Sequence, residues 1–201
     1  MYRILLCFFL ITSTLSAQNA DVRLLRQIYS SETLPTDPFF QFISDSHALV
    51  ITGVPLAMGA TALLTHDSQL LNQTIELGTA TALNLGVTML LKYSINRDRP
   101  YTTYPDILPK SVDGSPSFPS GHTSSSFATA TSLSLMYPKW YVIAPSFLWA
   151  GSVGYSRVYL GAHYPSDVAA GALVGIGSAW LAHEANRWYQ TKQKNKHGKF
   201  E

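Results

Sequence analysis

The chain has 201 residues, room for one domain with a substantial core. A formal net charge of only +2 excludes the broad basic field of a nucleic-acid binder. Charged residues make up 13% of the chain, against ~25% in an ordinary soluble domain, which points to a membrane or to an unusually buried helical protein.

Residues 1–17 read as a signal peptide. Arg3 supplies the positive end, Ile4 to Leu15 the apolar stretch, and Ser16 and Ala17 the small residues before a polar turn. The only cysteine, Cys7, lies inside this segment. An exported chain that has lost it has no thiol for a disulfide or a zinc–thiolate site. Residues 18–201 are then expected to form a single domain.

After the signal, "DVRLLRQIY" has the pattern of a short amphipathic helix, and a Pro-containing turn follows from Leu34 to Pro38. Five apolar stretches with little or no charge come next: Ala48–Leu64, Leu77–Leu91, Thr123–Met136, Tyr141–Tyr155 and Val168–Ala182. Each is too long for an average strand and rich in Ala, Leu, Gly and Ser, so all five are predicted helical and the fold all-α. Gly151, Gly154, Gly171, Gly175 and Gly177 would let such helices approach closely. At about 14–17 residues the stretches fall at or below the ~17–25 needed to cross a bilayer. Five crossings put Lys92, Ser120 and His163 on one side. They put the basic tail 187–201, with Arg187, Lys192, Lys194, Lys196 and Lys199, on the other, as the positive-inside rule asks. The expectation is a bacterial inner-membrane protein with its functional loops facing the periplasm; a soluble periplasmic protein is the alternative.

Three regions carry chemistry. "KYSINRDRP" places Lys92 at a helix end, with Arg99-Pro100 seven residues on. "SFPSGHTSSSF" puts His122 behind Pro119, Ser120 and Gly121 in a predicted first helical turn, with Pro119 at the first position. The backbone N–H groups of such a turn have no internal partners and suit an anion. "SRVYLGAHYPSD" sets His163 six residues after Arg157 and four before Asp167, with Pro165 opening the next helix. Taken singly, these are a basic helix end, a Ser-rich helix start and a surface histidine. Taken together, three cations, a helix start and two imidazoles suit phosphoryl transfer, in which charged oxygens need donors and an in-line displacement needs a nucleophile and an acid.

These three parts, complete, in order and correctly spaced between Lys92 and Asp167, resemble the signature of the type 2 phosphatidic acid phosphatase (PAP2) superfamily. The resemblance implies a six-helix bundle and a metal-independent phosphatase with no cofactor. It implies that His163 is the nucleophile, forming a phosphohistidine, that Asp167 holds its tautomer, and that His122 protonates the leaving oxygen and later activates water. Lys92, Arg99, Arg157, the Ser120 hydroxyl and the Gly121 amide would bind the phosphoryl oxygens. The implied partners are a membrane and a phosphorylated lipid: lipid A, phosphatidate, phosphatidylglycerophosphate or undecaprenyl pyrophosphate. The superfamily also holds soluble acid phosphatases and the usually much larger vanadium-dependent haloperoxidases, so membership alone leaves the reaction open. His47, His66, His183 and His197 match no part of the signature and are expected to be structural or solvated. Glu76 is expected to be a charge near a helix start. Tyr101, Tyr104, Trp140 and Tyr141 are expected either to form an interfacial belt or to pack in loops.

Overall fold

The computed structural model describes residues 20–197. The signal expected at 1–17 and the last four residues lie outside that range. Among the described residues every regular element is helical: α1 (residues 20–28), α2 (Asp37–Thr65), α3 (Ser68–Ile95), the single turn α4 (Pro100–Thr103), α5 (Gly121–Met136), α6 (Trp140–Tyr159) and α7 (Pro165–His197).

The helices outrun the apolar stretches that announced them. Polar residues at helix ends belong to the helix as much as the apolar middle does. Asp67 accepts from the Gln69 and Leu70 amides and starts α3, and Asn96, left-handed at φ 49°, ends it. Among the described residues three helices are long and apolar enough to cross a membrane: α2, α3 with its extension to Thr103, and α7. At 1.5 Å per residue, α2 alone reaches ~43 Å, more than the ~30 Å hydrocarbon core. The outward residues agree. Leu49, Leu56 and Leu63 recur every seven positions along α2 and are 66–75% exposed, an apolar stripe suited to hydrocarbon rather than water.

α5 differs from the other long helices. It is only 16 residues long, carries hydroxyls at Thr123, Ser124, Ser126, Thr129, Thr131 and Ser132, and buries all of them. It is the central helix, packed against α3, α6 and α7. Its contact with α7 depends on glycine. A Cβ at Gly171 would stand 2.7 Å from the Ser120 carbonyl oxygen, and one at Gly175 would collide with that of Ser124. Gly154 also sits in a close contact, with Thr123 and Val168, whereas Gly151 and Gly177 face open space.

The chain alternates direction, so one end of the bundle collects the start of α2, the ends of α3 and α6, the starts of α5 and α7, and the loop 104–120. α1 docks on that end. Asp21 accepts from Arg97 Nη2 at 2.7 Å and from the Ser166 amide at 2.9 Å. The four aromatic residues expected to act together are split between the two ends. Tyr101 and Tyr104 pack in the loop end, while Trp140 and Tyr141 open α6 at the far end, 79% and 61% exposed. Glu76 is not a cap charge. It lies buried between helices, accepting from Asn186 Nδ2 and paired with His183 Nδ1 at 2.7 Å.

Candidate active site

The loop end of the bundle brings all eight sequence-predicted site residues together. Lys92 lies in the last turn of α3 and Arg99 just before α4. Ser120 caps α5, with Gly121 and His122 as its first two residues. Arg157 lies near the end of α6, His163 in the six-residue-later loop position, and Asp167 in the first turn of α7. Pro119 precedes the cap rather than occupying the first helical position. The Ser120 hydroxyl accepts from Thr123 Oγ1 at 2.9 Å and is fully buried, so it stabilises the helix start beneath the site. The Ser120 amide donates to the Asp167 carbonyl at 3.0 Å and ties the second motif to the third.

Hydrogen-bond bookkeeping fixes the His163 tautomer. Its Nδ1 lies 3.5 Å from Asp167 Oδ2 and 3.4 Å from Ser117 Oγ, whose own proton goes to Asp167 Oδ2 at 2.5 Å. Both neighbours of Nδ1 are thus acceptors. The proton belongs on Nδ1, and the lone pair on Nε2 faces Arg99 Nη1 at 3.3 Å. Burial pushes the ring down to about 4, against the pull of Asp167. A neutral imidazole held this way turns its Nε2 lone pair towards the cavity side of Arg99, where it has the chemistry a nucleophile needs.

Asp167 is held in turn by residues outside the three motifs. Arg97 Nη1 donates to Asp167 Oδ1 at 2.6 Å, and its guanidinium lies 3.9 Å from the centre of the Tyr164 ring. Asp113 is a second addition, a carboxylate in the loop 104–120 that joins Arg99 and Arg157. Burial presses the Asp113 pKa up, but the two arginines more than offset it and hold it below the usual carboxylate range. Arg157 also reaches Ser44 Oγ of α2 at 2.7 Å. Lys92 Nζ donates to the Pro116 carbonyl. None of Asp113, Arg97, Ser117 or Ser44 was expected from sequence. The one local hint was "RDRP", which puts a second arginine two residues before Arg99.

A cavity of about 320 Å³ lies beside these groups. Its polar wall is Lys92, Arg99, Asp113, Gly121, His122 and His163. Its other wall descends through Ile51 of α2 and Met89, Leu85 and Thr81 of α3. Thr81, Leu85, Thr88 and Lys92 follow one face of α3 over ~16 Å. Leu85 and Met89 are 55% and 41% exposed, so the apolar end of the cavity borders the outer face of the bundle. His47, expected to be structural or solvated, lines the same cavity.

The PAP2 superfamily model matches residues 73–191, more than half of the chain and all three motifs. The chain belongs to the PAP2 superfamily. Over 64 residues it is 42% identical to the lipid A 4'-phosphatase of Bacteroides thetaiotaomicron, a match covering 32% of this chain and 28% of that protein. The chain therefore spans only about a quarter of that curated relative. The crystal structure of Aquifex aeolicus LpxE superposes with a TM-score of 0.70 at 29% identity, covering 81% of this chain and 94% of that one. A transmembrane PAP2 type phosphatidylglycerolphosphate phosphatase from Bacillus subtilis shares the fold, with a TM-score of 0.72 at 23% identity over 90% and 92% of the two chains. The PAP2 match begins inside α3, so α1 and α2, which contribute Asp21, Ser44 and His47, lie outside it.

Proposed function

We propose that this chain is a membrane-embedded, metal-independent lipid phosphatase working through a phosphohistidine. One observation carries the reading. The cavity that holds Lys92, Arg99, His122 and His163 at its polar end continues between α2 and α3 as an apolar slot. A phosphate ester seated on the cations would lay an apolar leaving group in that slot, and both helices have the length and apolarity of spans.

The steps follow from atom placement. His163 Nε2 attacks phosphorus while Lys92, Arg99, Arg157 and the Gly121 amide neutralise the phosphoryl oxygens. Burial and the Arg157 charge push the His122 ring down to about 3, so its proton comes from the arriving phosphate monoanion. The P–O bond to the lipid breaks, and the leaving oxygen takes that proton. His122, now neutral, removes a proton from water. The hydroxide attacks phosphorus, the P–N bond breaks, and inorganic phosphate and a neutral His163 remain. Asp167 keeps the Nδ1 proton in place throughout. The relatives named for lipid A support a lipid substrate, as do the exposed apolar helices. A soluble periplasmic phosphatase would have to expose the Leu49–Leu56–Leu63 stripe to water.

The test is a panel assay of purified protein in detergent with lipid A, phosphatidate, undecaprenyl pyrophosphate and a soluble aryl phosphate, with and without EDTA. Turnover of at least one lipid well above the aryl phosphate, unaffected by EDTA and inhibited by orthovanadate, is the expected result. Preference for the aryl phosphate in a detergent-free soluble fraction would replace this reading with the soluble one.

A further inference from the structure

The two imidazoles of the site are oriented by different means. The His163 ring is fixed by Asp167 and Ser117. Among the described residues no hydrogen bond fixes the ring of His122; what lies against it is another imidazole. The His47 ring centre is 4.3 Å from that of His122, with the planes inclined at 39°. We propose that His47 is a positioning residue for His122, holding the acid's ring where it delivers a proton to the leaving oxygen. The proposal rests on the reading of His122 as the acid.

His47 is itself well anchored. Its Nε2 lies 2.8 Å from Ser125 Oγ, whose hydroxyl donates to the Gly121 carbonyl at 2.8 Å and also lies 3.3 Å from the His122 carbonyl. Ser125 must therefore accept from His47, so the proton of the neutral ring is on Nε2. The carbonyl that receives the Ser125 proton belongs to the residue before His122. One chain of contacts thus joins the face and the base of the same helix start: His47 to Ser125, Ser125 to Gly121, and the His47 ring to the His122 ring. A ring turning about its terminal bond has a broad, two-fold preference, and packing against a fixed neighbour selects one orientation.

α2 delivers this residue along with another. Ser44 and His47, one turn apart on the same face, reach Arg157 and His122 respectively, and Ile51 a turn further on lines the apolar slot. One helix face therefore touches the oxyanion site, the acid and the leaving-group path in succession. The charged and titratable groups around the ring are His122 on α5, Arg157 on α6, Lys92 at the end of α3, and Asp113 in the loop. Each already has a place in binding or proton transfer, whereas the contacts of His47 run to the acid and its helix start.

The test compares His47→Ala, His47→Phe, His122→Ala and the double alanine variant, each checked for folding by size exclusion in detergent. The probes are phosphatidate, whose leaving group is a poor alkoxide, and an aryl phosphate with an acidic phenol. His47→Ala should lower kcat on phosphatidate by about 10-fold, part of the 10²–10⁴ available from general acid catalysis, with KM within about two-fold and the aryl phosphate nearly unaffected. His47→Phe, which keeps a flat face against His122, should recover most of the loss and remains informative if the alanine variant fails to fold. In the His122→Ala background, His47→Ala should cost no more than about two-fold further, because it acts through the missing ring. Equal losses on both substrates, a loss confined to KM, no recovery in His47→Phe, or multiplicative losses in the double variant would each overturn the role of His47. Full activity of His122→Ala on phosphatidate would instead remove the acid assignment itself.

Discussion

The Asp113 carboxylate accepts a 2.7 Å hydrogen bond from Arg157, a side chain only 1% exposed. The same oxygen accepts from Arg99 Nη1 at 2.9 Å. One carboxylate oxygen thus sits between two guanidinium groups that the PAP2 signature assigns to phosphate. It satisfies both guanidinium groups, and its charge would repel a phosphoryl group arriving between them.

Asp113→Asn separates those two effects. The amide oxygen still accepts from one arginine, but the negative charge is gone. Two like charges ~5 Å apart at a partly solvated site interact by a kcal/mol or more, so orthovanadate and inorganic phosphate should inhibit the variant at about 5- to 10-fold lower concentration. The measurement is the inhibition constant of each anion with the aryl phosphate as substrate. Weaker inhibition would mean that Asp113 serves chiefly to hold the arginines in place.

His163→Ala should lower turnover on the order of 10³-fold or more, because the covalent step is lost, while the variant elutes from a sizing column as wild type does. A rapid alkali quench of wild type with ³²P-labelled substrate should trap protein-bound label that acid then releases, the behaviour of a P–N bond. Trapped label that persists in His163→Ala would move the nucleophile elsewhere.

The three motifs were legible because their spacing is sequential and their chemistry rare: cations, a helix start and two histidines in a chain poor in charge. Helix type was legible from the apolar stretches, but helix length was not. The residues that extend α7 from Ala182 to His197 are mostly polar, and Glu76 of α3, bonded to His183 and Asn186, ties the start of that extension to the bundle. Asp113 was illegible for a different reason. "VDGSP" reads as an ordinary turn, and its meaning comes from two arginines 14 and 44 residues away. His47 left no comparable trace: it ends the polar run "SDSH" just before the apolar stretch, a pattern that a solvated turn of helix explains equally well.

The buried neutral His163 makes a testable contribution to acid sensitivity. Its folded value of about 4 lies below the ~6.5 of an unfolded histidine. Between those values the unfolded chain binds a proton that the folded one does not. This group therefore takes away stability as pH falls from 6.5 towards 4, by about 1.4 kcal/mol per pH unit at most, and nothing further below that. His163→Gln should flatten the fall of the thermal midpoint across that window relative to wild type. Parallel curves for the two proteins would mean that His163 is not buried neutral.

α2, α3, α5, α6 and α7 alternate direction, so residue 37 and the site lie at one end and the end of α7 lies at the other. The far end carries Lys139, Arg187 and Lys192, with Trp140, Tyr141, Trp188 and Tyr189 exposed beside them. Basic residues flanking spans stay in the cytoplasm, and exposed Trp and Tyr settle at the headgroup level, so this end fits an inner interface. The site end holds more basic residues, but most of them are paired with acids of the protein: Arg26 with Asp106, Arg97 with Asp21 and Asp167, Arg99 and Arg157 with Asp113, Lys110 with Asp37. Charges already paired within the protein put little bias on insertion, which leaves the far end to set it. A reporter that fluoresces only in the cytoplasm, fused after Glu201 and expressed in a bacterium, should therefore be bright, and an alkaline phosphatase fusion at the same point inactive. A dark fusion in membranes would invert the topology and put the site on the cytoplasmic face, while a dark fusion released by osmotic shock would make the protein soluble and periplasmic.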